Sequence, residues 1–130
     1  MQHFFVRVFV AADAPNKQLP VAFDAAFAAL AELPRLFIEP DGSFVWTSPP
    51  GEAAWQVDGM LVDGGETLYY CELKGSCPSG ALDQVLNASF GSAALQFEMV
   101  GEGMMLSEEA FRRQVTLPPD GPAKAPDRPA

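Results

Sequence analysis

Apolar residues fall along this chain in two rhythms, one suited to strands and one to helices. Phe4 to Val10 is a continuous run of aromatic and β-branched residues, which predicts a strand buried on both faces. Ala11 to Gln18 holds Asp13, Pro15 and Asn16 and reads as a loop. Pro20 stands where a missing N–H costs nothing and opens a helix. Phe23, Phe27 and Leu30, at i, i+4 and i+7, form its apolar stripe, and Pro34 ends it. Leu36–Glu39 and Phe44–Thr47 flank Pro40-Asp41-Gly42-Ser43, a turn signal that predicts a hairpin. A second hairpin pairs Trp55–Val62 with Thr67–Lys74 around Gly64-Gly65.

Helical spacing returns after Pro78. Leu82, Val85, Leu86 and Phe90 share one face of a helix from about Ala81 to Phe90, with Gly91 as its C-cap. Leu95, Phe97 and Met99 then alternate with Gln96 and Glu98, the pattern of a half-buried strand. Met99, Met104 and Met105 read as packing or loop residues. Ser107 N-caps a last short helix, with Glu108 and Glu109 in its first turn and Arg112 and Arg113 toward its end. The order is β-α-β-β-β-β-α-β-α, an α+β domain over residues 1–115 on a mainly antiparallel sheet. Residues 116–130 carry five prolines and predict a disordered tail.

Composition narrows the function classes. The 130 residues are 48% hydrophobic and 19% charged, which is globular, and the net charge is −9. Only Arg7, Lys17, Arg35, Lys74, Arg112 and Arg113 are basic before the tail, so duplex nucleic acid and anionic membranes are disfavoured as partners. No run of 18 apolar residues predicts a membrane span, and Arg7 interrupts the apolar start where a signal peptide would need none. A cytoplasmic location is expected. Cys71 and Cys77 read as ordinary thiols, because C-x5-C with the single His3 is poor for structural zinc. Nothing in the sequence partners His3 for a triad, and Trp46, Trp55, Tyr69 and Tyr70 read as core or hairpin pairs.

The chemistry-bearing residues cluster on the second hairpin: Asp58, Glu72 and Lys74. Glu72 and Lys74 share a strand face. Asp58 depends on the turn. A two-residue loop at Gly64-Gly65 sets it against Cys71, on the other face; a three-residue loop, Gly64 to Glu66, sets it opposite Glu72. In the second register the two carboxylates could share a divalent ion, with Lys74 orienting a water or stabilising charge. Glu-Leu-Lys followed by Gly is equally a way to end a strand.

One helix, an Asp on the next core strand and E-x-K on the one after resemble the PD-(D/E)xK nuclease superfamily over roughly residues 20 to 100. The resemblance implies Asp58, Glu72 and the Leu73 carbonyl as metal ligands for Mg²⁺ or Mn²⁺, and Lys74 as the catalytic lysine. No Pro precedes Asp58, unlike the superfamily's pattern. W-x-x-D-G-x-L-x-D with L-x-Y-x-E-L-K-G-x-C-P and a later F-R-R also resembles a small bacterial family of unknown function, which implies no activity.

Three readings follow. The leading one is a small acidic, non-enzymatic binding or accessory module with no cofactor, which meets a protein partner or a second copy through a sheet face where Tyr69, Met60 and Trp46 stand together. The alternative is a divalent-metal-dependent phosphodiesterase using Asp58, Glu72 and Lys74. A third is a regulatory ligand-binding domain with its site between a helix and the sheet.

Overall fold

A computed structural model describes residues 2–11, 22–65 and 67–115. The loop expected over Ala11–Gln18, beyond Ala11 itself, the helix start at Pro20 and the tail at 116–130 lie outside the described residues. Within them the chain runs β1 (Phe4–Val10), α1 (Phe23–Ala31), β2 (Leu36–Ile38), β3 (Ser43–Thr47), β4 (Gln56–Asp63), β5 (Leu68–Ser76), α2 (Ser79–Phe90), β6 (Leu95–Met99), β7 (Met104–Ser107) and α3 (Glu108–Gln114). The described strands form one sheet in the order β2-β3-β4-β5-β1-β6-β7. Every pairing is antiparallel. This is the expected α+β fold, with one strand more than the pattern predicted. β7 comes from Met104-Met105-Leu106-Ser107, too short a stretch to show alternation, which forms by pairing with β6.

One face of the sheet carries the core. Phe4, Val6 and Val8, Phe44 and Trp46, Val57 and Leu61, Cys71 and Leu73, and Phe97 and Met99 point inward. They join Ala26 and Leu30 of α1, Leu82, Val85, Leu86 and Phe90 of α2, and Phe111 of α3 in a single buried cluster. All three described helices therefore cover the same face. β1 is not buried on both faces as expected: Phe4, Val6 and Val8 are buried, while Phe5, Arg7 and Phe9 are only half-buried. The α1 stripe is likewise shifted, with Ala26 and Leu30 buried and Phe23 and Phe27 partly covered beside them.

Local chemistry accounts for the ends of the elements. Asp41 Oδ1 accepts from the Ser43 amide at 2.9 Å and from its hydroxyl, closing the β2–β3 turn, where Gly42 takes φ 95°. Those two bonds hold the Asp41 carboxyl below its ordinary value. Gly91 caps α2 with φ 64°, and the Ser107 hydroxyl accepts from the Ala110 amide at 3.1 Å at the start of α3.

The β4–β5 hairpin takes neither register expected from its glycines. Asp63 pairs with Leu68, and the Gly64 amide donates to the Thr67 carbonyl at 2.9 Å, so the loop is the four residues from Gly64 to Thr67. Val62 pairs with Tyr70, leaving Tyr69 as the extra residue of a β-bulge. The bulge lets both tyrosines reach Phe9, at ring-centroid distances of 5.9 and 5.2 Å.

Candidate functional site

The face of the sheet away from the helices is built of cross-strand rows. One row runs Phe37–Val45–Asp58–Lys74–Phe5 across β2, β3, β4, β5 and β1. The next runs Ser43–Met60–Glu72–Arg7–Glu98–Met105 across β3, β4, β5, β1, β6 and β7. Period-2 geometry puts every member of both rows on one side. Charges occupy the middle of both rows, and apolar groups flank them, with Ser43 as the polar end of the second. Phe37 is 75% exposed and Met105 50%.

Asp58, Glu72 and Lys74 all fall on this outward face, but not in the arrangement either turn would have produced. Asp58 pairs directly with Lys74, and Glu72 pairs with Met60. The two carboxylates are diagonal neighbours, a relation that sets Cβ atoms about 7–8 Å apart. Each already has a partner. Asp58 Oδ1 accepts from Gln56 Nε2 at 2.9 Å. Glu72 Oε1 accepts from Arg7 Nε at 3.2 Å, and Arg7 also lies 3.7 Å from Glu98. The hydrogen bond that Arg7 donates to Glu72 is the main reason its guanidinium sits above its ordinary value. Lys74 Nζ stands 5.2 Å from the centroid of the Phe5 ring. Among the described residues no group of three or more His, Cys, Asp or Glu side chains is arranged to hold a metal ion.

The other residues of the W-x-x-D-G and E-L-K-G-x-C-P stretches pack. Trp55 meets Trp46 edge to face at 5.0 Å. Gly59 lies across from Phe44, and a Cβ there would run into the Phe44 ring. Gly75 holds φ 141° against the Gln56 carbonyl, where a Cβ has no room. Cys71 and Cys77 are both buried, and burial pushes the Cys71 thiol up to about 12.

Tyr69, Met60 and Trp46 do not stand together on one open face, contrary to expectation. Trp46 is inward and buried, Met60 is outward, and Tyr69 stands at the bulge, 61% exposed. Phe37 and Val45 take the place given to Trp46. Their signal was present, since Phe37 and Val45 alternate with the inward Leu36, Phe44 and Trp46. No protein-family model, curated protein sequence or solved structure matches this chain.

Proposed function

We propose that this chain is a non-enzymatic binding module whose contact surface is the outward face of its sheet. The observation that carries the reading is the exposure of Phe37, Val45 and Met105 at the ends of rows whose centres are charged. Large apolar side chains beside ordered charges are what a protein interface uses for anchoring and for orientation. The net charge of −9 repels a second copy, so a neutral or basic protein partner suits the face better than self-association.

The test compares wild type with Phe37→Lys/Val45→Lys. Both positions lie outside the buried core, so the melting temperature should move by no more than about 2–3 °C. Wild type should retain a defined partner from its own cell extract, and the purified pair should bind at least about tenfold more weakly with the variant. Equal binding by the two forms would end the reading.

A second reading, a divalent-metal phosphodiesterase using Asp58, Glu72 and Lys74, is favoured by their common face and by the Asp58–Lys74 pairing. The ion pair of Glu72 with Arg7 opposes it, since a metal would have to displace the guanidinium. Mg²⁺ or Mn²⁺ should then raise the melting temperature of wild type but not of Glu72→Ala. An equal response, or none, removes this reading.

A further inference from the structure

A cleft of about 200 Å³ opens where the turn after α1, the β3–β4 connection and the first turns of α2 meet. Its walls are stiff. Pro34, Pro49 and Pro78 line it with the edge-to-face indoles of Trp46 and Trp55. Trp46 is pinned by its own indole N–H, which donates to the Pro34 carbonyl at 2.8 Å. Both tryptophans of the chain are thus in one cleft wall.

Three polar side chains line the same space: Arg35, Glu52 and Gln84. Arg35 is held in the left-handed region at φ 68°, the sole described non-glycine residue with positive φ. Its Nε donates to the Thr47 carbonyl at 3.0 Å, which fixes the guanidinium stem and leaves the two terminal nitrogens for another partner. Arg35 and Glu52 do not pair with each other. The ion pairs among the described residues are those of Arg7 with Glu72 and Glu98 and of Arg112 with Asp83 and Glu108. The cleft therefore holds one cation and one anion, each without an opposite charge from the described side chains.

Trp55 is only 7% exposed, and its Nε1 is the one buried side-chain polar atom among the described residues that lacks a hydrogen bond. An unmade bond at a buried donor is unfavourable, and a ligand oxygen that reached it would remove that penalty.

We propose that this cleft binds a free amino acid with an apolar side chain. Its carboxylate meets the Arg35 guanidinium, its ammonium meets Glu52, and its side chain lies against the indoles. A purely anionic ligand would face Glu52 as a like charge, and a purely cationic one would face Arg35. A zwitterion matches both. The volume is below the roughly 300 Å³ at which drug-sized pockets begin, which limits the occupant to about one residue. This site is separate from the outward face and depends on neither reading above.

The two tryptophans make the full chain its own reporter. Fluorescence excited at the indoles is titrated with phenylalanine, leucine and proline, and with N-acetylphenylalanine and phenylalaninamide, which each keep one charge. A proline-rich peptide is the remaining probe. A saturable change is expected with at least one free amino acid below about 10 mM, with both blocked derivatives at least about tenfold weaker. Arg35→Asn, a residue that tolerates left-handed φ, and Glu52→Gln should each weaken binding by about tenfold with the melting temperature nearly unchanged. Trp55→Phe, followed by calorimetry, should also weaken it. No saturable change with any free amino acid, equal binding of a blocked derivative, unchanged affinity in both charge variants, or saturation by the peptide alone would each overturn the proposal.

Discussion

Gly59 and Gly75 show how a motif that reads as chemistry can be packing. The far end of the Phe44 ring fills the space beside Gly59, and Gly75 combines φ 141° with a backbone oxygen where a Cβ would go. Gly59→Ala should destabilise by about 1–3 kcal/mol, because the aromatic ring must leave its position. Gly75→Ala should destabilise at least as much, with strain added to the clash. Denaturant unfolding checks both. Cys71 gives a signed prediction with pH. Its folded value of about 12 lies above the 9.0 of an ordinary thiol, so the group stays protonated in the folded chain while the unfolded chain ionises. Its contribution is complete below pH 9 and is lost as pH rises from 9 toward 12. The loss follows a slope of up to about 1.4 kcal/mol per pH unit. Cys71→Ala should flatten that part of the stability profile, and native Cys71 should resist thiol reagents that label the unfolded chain. None of this was legible in the residue letters, because burial and close approach are properties of the neighbours that folding brings.

Elements were easier to read than their contacts. The turn at Asp41-Gly42, the apolar face of α2, the alternation of β6 and the cap of α3 all follow from local rules, and each stands where those rules put it. Ser107→Ala should therefore weaken α3 by about 1 kcal/mol, measurable as local loss of amide protection over residues 108–114. The larger stake in α3 is Phe111, stacked on Phe97 at 4.5 Å and edge-on to Phe4 at 5.8 Å. Phe111→Ala should cost about 3–5 kcal/mol, read as a fall in the unfolding midpoint. The β4–β5 register escaped prediction for a physical reason. A bulge at Tyr69 and a four-residue loop lie outside the two-residue and three-residue turns that Gly64-Gly65 suggests. That slip decided whether Asp58 and Glu72 met head-on, so the candidate site inherited an uncertainty that only the ladder could remove.

At the scale of the molecule the class was legible and the division of faces was not. Strand-like and helix-like rhythms in alternation suffice for an α+β sheet, but β1 read as buried on both sides because Phe5 and Phe9 are as apolar as Val6 and Val8. Three helices on one face leave those aromatics, with Phe37 and Met105, on the other. The described residues contain no helix long and apolar enough to cross a membrane. If the outward face is an anchoring surface, its double lysine variant should keep its fold while losing its partner.

The sheet order places β1, the first of the described strands in sequence, between β5 and β6. Its hydrogen-bonding neighbours lie more than sixty residues downstream, at Cys71–Gly75 and Leu95–Met99. During synthesis this sticky ribbon must wait, unpaired, until both have left the ribosome. The hairpin β2–β3 and the meander through β5 can assemble meanwhile from contacts close in sequence. Arg7, the single charge in an otherwise oily heptapeptide, is then the one residue within the strand that discourages premature association of nascent chains. Replacing it with an uncharged residue should show first as lower soluble yield at high expression, before any change in the melting of what does fold.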